Sequence, residues 1–246
     1  MSPAEPLCVV EPPLPAQRPS WGEDLPPLEW QEVGLGGRTI RLPELADPLA
    51  YLEKRLARGF RVANDLPLWT KLWPGSLMLA QLVEAMQPPV QSPVLELGAG
   101  VGLPGLVAAQ KGCRVILTDN DPDALCLARL AVEANGLGHL VEVRELDWLT
   151  PPSDLAPVAT ILGAEVLYER AIYPDLARLV ARLLLPGGRA LFSYQERPFR
   201  ISFFDHLGEE FSLGRLTRRL RGDDEEPPAV FHLVAATRRR DEAGPQ

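Results

Sequence analysis

The stretch Val94-Leu95-Glu96-Leu97-Gly98-Ala99-Gly100-Val101-Gly102 decides the fold of this chain. A short apolar run with one acid breaks into alternating glycines and then opens into Leu103-Pro104-Gly105-Leu106-Val107-Ala108-Ala109. Pro104 suits the first turn of a helix, where its missing N–H is not needed. The pattern predicts a buried strand, a tight turn and a helix. Gly98 and Gly100 free the backbone to approach a ligand, and the helix start offers it N–H groups.

Such a turn suits more than one ligand. A dinucleotide site needs Gly-x-Gly-x-x-Gly, in which a small third residue packs the helix against the strand. Leu103 occupies that third position here, so the fit is poor. The glycines instead follow the pattern Gly98-x-Gly100-x-Gly102, with Glu96 two residues before the first. An ordinary strand-to-helix turn without a ligand stays open at this point.

The run from Glu96 to Gly102 resembles motif I of the class I, S-adenosylmethionine-dependent methyltransferases. The resemblance implies that S-adenosylmethionine is the cofactor and S-adenosylhomocysteine the product. It also implies that the amino-acid end of the cofactor lies over Gly98 and Gly100, and that Glu96 helps to hold the methionine moiety, often through water.

The bulk composition limits the functional classes. With 246 residues, 46% of them hydrophobic, the chain is long enough for one sizeable domain with extensions. A net charge of −8 argues against a general nucleic-acid binder and favours a small ligand or a basic protein partner. Three cysteines, Cys8, Cys113 and Cys126, without a CxxC motif predict a cytoplasmic location. We recognise no targeting or membrane segment and expect a monomer that binds no membrane.

Apolar runs alternate with helical patterns downstream of the glycines. The predicted strands after the first are Cys113–Asp119, Val141–Leu146, Val158–Ala164 and Arg189–Tyr194, followed by a last hairpin of Phe211–Arg218 with Ala229–Thr237. The predicted helices are Asp123–Asn135, Pro174–Leu185, which Pro186-Gly187-Gly188 closes, and Ile201–Leu207. These elements predict an α/β fold: the seven-stranded, Rossmann-like class I methyltransferase sheet with helices on both faces.

The region before the glycines is expected to form extensions. Residues 1–27 are rich in proline and predict an extended or disordered tail, with a docking role as the alternative. Residues 28–65 predict a β-hairpin around Gly34–Gly37 and a short helix over Pro48–Arg58. We assign residues 66–237 to the methyltransferase domain and 238–246 to a solvated tail. Trp69 is expected to pack in the core beneath the hairpin.

Acids at the ends of two predicted strands are candidate cofactor ligands. Asp119 ends the second strand about twenty residues beyond the glycines, where a carboxylate can accept both ribose hydroxyls of a nucleoside. It could instead cap the next helix, but Asp121 fills that position better. At the end of the third strand, Asp147 can bind the adenine amine while Trp148 covers the ring, although Trp148 could equally be a core residue.

With these residues placed, the chain resembles one subgroup of the fold, the family-16 methyltransferases, which include protein-lysine methyltransferases. The marks of the resemblance are Trp73-Pro74, Val94–Gly102, Thr118-Asp119, Leu146-Asp147-Trp148 and Leu162–Tyr168. It implies that Trp73 closes over the cofactor. Asn120 and Ala164, which lie next to these marks, are also expected to bind the cofactor. It also implies that Glu165 and Tyr168 form one wall of the acceptor pocket. The alternative is a purely structural role, in which Glu165 only caps the following turn.

The leading function is therefore transfer of a methyl group from S-adenosylmethionine to an amine, with a protein lysine side chain first and a small-molecule amine second. Glu165 and Tyr168 are the candidate catalytic residues. A non-catalytic module that binds S-adenosylmethionine is the third possibility. The segment Glu165–Tyr168 lacks the prolines of the Asn/Asp-Pro-Pro-Tyr/Phe motif typical of nucleic-acid amine methylation. The three histidines are isolated, so no metal site is predicted.

Overall fold

The computed structural model describes residues 25–57, 67–87, 91–196, 202–220 and 229–240. The predicted proline-rich tail up to residue 24, most of the connection within the last hairpin and residues 241–246 lie outside the described residues. The described strands are β1 (Leu28–Leu35), β2 (Arg38–Leu45), β3 (Val94–Leu97), β4 (Val115–Asp119), β5 (Val141–Glu145), β6 (Val158–Ala164), β7 (Leu184–Gln195), β8 (Phe211–Leu220) and β9 (Ala229–Arg238). The described α-helices are α1 (Pro48–Ala57), α2 (Pro74–Ala85), α3 (Leu103–Gln110), α4 (Pro122–Ala134) and α5 (Tyr173–Leu183).

Seven of these strands form the central sheet in the order β5-β4-β3-β6-β7-β9-β8. The first five in that order are parallel to one another, and β9 runs antiparallel to both β7 and β8. The strand order reverses beside β3, because the chain moves outward to β4 and β5 before it returns to β6. Ligands of open α/β sheets bind at such a switch point, beyond the carboxyl ends of the strands. The predicted seven-stranded sheet is confirmed.

The two faces of the sheet bury separate apolar clusters. One cluster joins α2, α3 and α4 to the N-terminal hairpin, with Leu79, Leu106 and Leu127 at its centre. The other joins α5 to the short 3-10 helix at Phe203–His206, with Phe192 fully buried between them. Helices therefore cover both faces, as the alternation of strands and helices predicts.

The hairpin of β1 and β2 packs on the edge of this core. Its turn is formed by Gly36 and Gly37 alone, both with positive φ (58° and 76°), so the strands extend further than the predicted turn at 34–37 allows. The side chain of Asn135, which follows α4, accepts a hydrogen bond from the N–H of Arg41 at 2.9 Å and donates to its C=O at 2.7 Å. The hairpin is thus tied to the C-terminal end of α4.

Several predicted boundaries were wrong. The helix predicted over Pro174–Leu185 is Tyr173–Leu183, and β7 begins directly after it at Leu184, five residues before the predicted strand. The reason is an irregularity in the pairing with β6, in which the register shifts between Val158 and Thr160 and accommodates the proline and glycines. The helix predicted from 201 to 207 is only a short 3-10 helix at Phe203–His206, and residue 201 lies outside the described residues.

Candidate active site

A cavity of about 520 Å³ opens at the carboxyl ends of the parallel strands. Gly98 after β3, Asp119 at the end of β4, Leu146 after β5 and Ala164 at the end of β6 all line it. Its position is the switch point of the sheet, and its volume lies within the range of small-molecule sites, roughly 300–1,000 Å³. The position and volume therefore make this cavity the candidate ligand site.

The glycine turn forms the floor of this cavity. Gly98, Gly100 and Gly102 have φ values of 56°, 54° and 76°, a region in which residues with a Cβ are strained. A Cβ on Gly100 would lie 3.3 Å from Cβ of Trp69, and one on Gly98 would lie 3.2 Å from the ring of Trp148. The glycines thus provide both the turn and the clearance that the sequence predicts.

Asp119 lies on the cavity wall with both carboxylate oxygens already oriented. Oδ2 accepts the N–H of Gly100 at 3.0 Å, and Oδ1 accepts the N–H of Asp121 at 3.1 Å. The residue is 9% exposed, and this burial raises the pKa of its carboxyl above the ordinary value, against the lowering effect of the N–H donors. Asp121 is the N-cap of α4, because its Oδ1 accepts the N–H of Asp123 at 2.9 Å. Asp119 is therefore not needed as a cap, as predicted.

Glu96 is not among the residues that line the cavity, and its contact with the methionine moiety, often through water, stays a prediction. It is 1% exposed and faces α3, where its Oε2 accepts the N–H of Gly105 at 2.7 Å. Burial raises the pKa of Glu96 to about 8, helped by the charge of Asp119 and opposed by the Gly105 N–H. The carboxyl belongs to the support beneath the glycine turn.

Asp147 and Trp148, which follow β5, line the cavity. The oxygens of Asp147 accept the N–H of Leu149 at 2.9 Å and the hydroxyl of Thr150 at 2.8 Å, which fixes the turn after β5. The indole of Trp148 packs close to Gly98. Both side chains therefore line the cavity, and Trp148 does so beside the glycine turn.

Two tryptophans before α2, Trp69 and Trp73, also line the cavity. Trp73 precedes the helix as its N-cap, and its Nε1 donates to the C=O of Leu68 at 2.6 Å. Trp69 also lines the cavity, so the prediction that it only fills the core beneath the hairpin was incomplete. Its ring packs edge-on against Tyr51 at 5.3 Å between centroids, and its buried Nε1 has no hydrogen-bond partner among the described residues.

Arg55 of α1 is a cavity residue that the sequence analysis missed. Its guanidinium donates to Oδ2 of Asp121 at 2.6 Å and to the hydroxyl of Tyr51 at 3.0 Å, and that hydroxyl donates to Asp123 at 2.6 Å. These bonds hold α1 over the start of α4. The available signal was the i, i+4 spacing of Tyr51 and Arg55, which places both on one helix face but does not identify the element that this face meets.

Glu165 follows β6 with φ of 57°, and no other described non-glycine residue has positive φ. Its N–H donates to the C=O of Ser193 at 2.7 Å, and its Oε2 accepts the N–H of Gln195 at 3.2 Å. A Cβ on Gly75, in the first turn of α2, would lie only 2.4 Å from Oε1 of Glu165. The carboxylate therefore lies against the start of α2 on the cavity wall.

Tyr168 lies at the rim of the same cavity and keeps 45% of its surface exposed. Partial burial, with the negative charges of Asp119 and Glu169, raises the pKa of the Tyr168 hydroxyl above its ordinary value. The hydroxyl is therefore held in its neutral, hydrogen-bonding form.

Comparison with known proteins agrees with this geometry. A family described as lysine methyltransferase (Methyltransf_16) matches residues 67–210, more than half of the chain. The chain belongs to this family. The match spans the tryptophan segment, the glycine turn and the segment of Glu165 and Tyr168, so the predicted family resemblance is confirmed.

Relatives within and around the family are similar over part of their length. Protein N-lysine methyltransferase METTL21A of Xenopus tropicalis is 36% identical over 116 residues, which cover 46% of this chain and 54% of that protein. Histone-arginine methyltransferase METTL23 of Mus musculus is 34% identical over 156 residues, covering 60% of each chain. The chain thus spans between half and two thirds of these two proteins.

Solved structures share the fold. TrmN from Thermus thermophilus superposes with a TM-score of 0.51 at 26% identity, over 66% of this chain and 48% of that one. The RsmC methyltransferase of T. thermophilus, solved with AdoMet and guanosine, has a TM-score of 0.55 at 21% identity, over 93% of this chain and 52% of that one. These likenesses support the α/β methyltransferase architecture.

The cavity wall fits the S-adenosylmethionine that this family implies. The glycine turn leaves no spare room for a Cβ beside Trp69, Asp119 presents a carboxylate, and the indole N–H of Trp69 is an unused buried donor among the described residues. Apart from Glu96, every predicted site residue lines this one cavity: Trp73, Gly98, Gly100, Asp119, Asn120, Asp147, Trp148, Ala164, Glu165 and Tyr168.

The described residues contain no helix that is both long enough and apolar enough to cross a membrane. They also contain no group of three or more His, Cys, Asp or Glu side chains arranged to hold a metal ion.

Proposed function

We propose that this protein transfers a methyl group from S-adenosylmethionine to the side-chain amine of a protein lysine. The observation that supports this most directly is the position of Glu165: its carboxylate lies on the wall of the same cavity that the glycine turn and Asp119 shape. The lysine methyltransferase family and METTL21A give independent support. One site then holds a place for the methyl donor and an anionic anchor for a cationic acceptor.

The cofactor would lie across the floor of the cavity. Asp119 would accept the ribose hydroxyls, Asn120 and Asp147 would contact the adenine edge, and Trp148 would cover its face. The indole N–H of Trp69, which has no partner among the described residues, would be a candidate donor to the cofactor. When bound, S-adenosylmethionine supplies a methyl group on a positively charged sulfur, which is already activated for transfer.

At the acceptor end of the cavity, the protein must attract the lysine side chain, orient it and help to remove its proton. A lysine amine is mostly protonated at neutral pH, with an ordinary pKa of about 10.4, and must lose its proton before it attacks. Glu165 would attract and orient the ammonium and help to pass its proton to water, while Tyr168 would line the entrance with its ring and hydroxyl. Because the methyl group is already activated, such positioning accounts for most of the rate.

The open rim favours a protein over a small amine. Tyr168 is 45% exposed and Leu149 58% exposed at the cavity edge, so a side chain projecting from a protein surface can enter there. An arginine acceptor is the second candidate, because METTL23 is named a histone-arginine methyltransferase and covers 60% of this chain. Both acceptors are cationic, so both suit Glu165.

A labelling experiment with acceptor analysis tests the proposal. Purified protein, methyl-labelled S-adenosylmethionine and a cell lysate should yield labelled protein, and mass spectrometry should place the added methyl on lysine. Glu165→Gln should reduce transfer by about 100-fold or more, the usual contribution of a positioned acid or base, while calorimetry shows unchanged cofactor affinity. Glu133→Gln, an exposed position on α4, is the matched control and should transfer normally.

Each other outcome has a defined meaning. Label on arginine alone would replace lysine as the acceptor, and label on a small amine would exclude the protein substrate. Cofactor binding without any transfer would favour the non-catalytic module. The cytoplasmic location, the monomeric state and the boundaries at residues 27, 65 and 237 stay predictions from the sequence.

A further inference from the structure

Glu165 holds a backbone conformation that its surroundings must impose. A φ of 57° is unfavourable for a residue with a Cβ, and such residues persist only where neighbouring groups over-determine them. Two hydrogen bonds do so here, one from the N–H of Glu165 to the C=O of Ser193 and one from the N–H of Gln195 to Oε2 of Glu165. Both partners belong to β7.

Ser193 also contacts Gly75, the residue against which the carboxylate of Glu165 lies. It is fully buried within β7, and its Oγ donates to the C=O of Gly75 at 2.8 Å, across 118 positions of sequence. A carbonyl in the first turn of an α-helix already accepts a helical N–H, so Gly75 does not need this bond to satisfy its backbone. The bond instead fixes the separation between β7 and the start of α2.

That separation decides where the carboxylate of Glu165 lies. Oε1 of Glu165 is within 2.4 Å of the place where a Cβ on Gly75 would be, so the carboxylate rests directly against this glycine. The N-terminal end of a helix carries partial positive charge, which attracts a negatively charged side chain. Trp73, the N-cap of α2, lines the cavity two residues earlier in the chain.

We propose that Ser193 is a positioning residue for methyl transfer: its main chain sets the strained backbone of Glu165, and its hydroxyl holds Gly75 against the carboxylate. This inference rests on the proposed function, because it names the support of the same acceptor site. Ser193 lies beneath the cavity wall and is not among the residues that line it.

Ser193→Ala is the first test. It removes the hydroxyl but keeps the main chain, so kcat should fall by between about 10- and 100-fold, the range expected when a reacting group is slightly misplaced. The affinity for S-adenosylmethionine should change less than twofold. Ser193→Cys, which keeps a weaker donor, should restore part of the rate.

Ser92→Ala is the matched control. Its hydroxyl also bridges chain segments, accepting the N–H of Ala159 at 2.9 Å, but it lies at the opposite end of the sheet and lines no part of the cavity. Ser92→Ala should lose stability to a similar degree and keep its kcat. Equal losses of kcat in both serine variants would overturn the inference, since they would indicate a general effect of weakened packing.

The double variant separates positioning from simple support. Once Glu165→Gln has removed the carboxylate charge, adding Ser193→Ala should cause no further loss of kcat, whereas independent effects would multiply. The denaturation midpoints of the four proteins should be non-additive as well. If wild-type protein transfers no methyl group, the proposed function fails, and the midpoints still decide the inference: additive midpoints would refute it.

Discussion

The positive φ of Glu165 predicts an inverted order of stability for two substitutions at this position. Glu165→Ala and Glu165→Gly remove the same carboxylate and its contacts, so they differ only in the Cβ. A residue with a Cβ at left-handed φ costs roughly 1–2 kcal/mol. Glycine loses about 0.5–1 kcal/mol through the greater freedom of its unfolded chain. We therefore expect Glu165→Gly to be more stable than Glu165→Ala by about 0.5–1 kcal/mol.

Thermal and urea unfolding measure this difference directly, without any need for activity. For a chain of this size, about 0.5–1 kcal/mol corresponds to a Tm that is about 2 °C higher for Glu165→Gly. Neither variant should transfer methyl groups, because both lack the acid.

An exposed helix position provides the control. At Glu133 of α4, where the backbone is helical, the same pair should show the normal order, with glycine less stable than alanine by about 1 kcal/mol. If glycine is less stable than alanine by this amount at both positions, Glu165 does not have the left-handed backbone, and the support assigned to Ser193 loses its basis.

Three further outcomes follow from groups around the cavity. Trp69→Phe removes an indole N–H that has no partner among the described residues, so the stability of the ligand-free protein should be unchanged or slightly higher. If this N–H donates to the cofactor, calorimetry should show S-adenosylmethionine binding that is about 5–10-fold weaker. Affinity that stays at the wild-type level would exclude that hydrogen bond. Glu96 has a pKa raised from 4.5 to about 8, so the folded state binds the proton more tightly than the unfolded state and stability falls as pH rises between these values. Urea unfolding at pH 6 and pH 9 should show that the wild type loses about 3 kcal/mol more than Glu96→Gln over this interval, and parallel losses would contradict the shift. Arg55→Ala breaks an ion pair with Asp121 in which the side chains are only 12% and 13% exposed, and it should lower the free energy of unfolding by about 2–3 kcal/mol. The control is Arg38→Ala, which breaks a pair with Glu84 in which the side chains are 45% and 20% exposed. It should lower the free energy of unfolding by less than about 1 kcal/mol in the same assay. Similar costs at the two positions would show that the Arg55 pair is not held out of water.

The features that the sequence predicts well depend on short stretches of chain. The glycines and Pro104 determine a local turn and helix start, and Asp119 follows because the carboxyl ends of parallel strands meet at one edge. Once the order of strands and helices is known, it is enough to predict that these residues lie close together. This explains why nearly all predicted site residues line one cavity.

The sequence predicts less well the direction of side chains that depends on distant elements. Glu96 alternates with Leu95 and Leu97 along β3, so it faces away from their cluster and toward α3. A Cβ on Gly105 would lie 2.6 Å from Oε2 of Glu96, which explains a glycine in the first turn of that helix. The sequence contained this signal, but only the pairing of the two residues reveals it.

Arg55 and Ser193 could not be assigned for the same physical reason. Arg55 meets Asp121 across 66 positions and Ser193 meets Gly75 across 118, and neither separation leaves a periodic pattern in the chain. The first five residues of β7 were also missed because the Pro186-Gly187-Gly188 segment is typical of a loop, and the irregular pairing with β6 that accommodates it is a property of the sheet.

Helix α1 contributes to the cavity wall, and this affects how ligand selectivity can be changed. The family match begins at residue 67, but Arg55 of α1 already forms part of the cavity wall. This cavity residue therefore lies outside the segment that the family model matches. Substitutions within α1 can alter the Arg55 side of the cavity while the glycine turn stays unchanged, which offers a separate route to altered ligand preference.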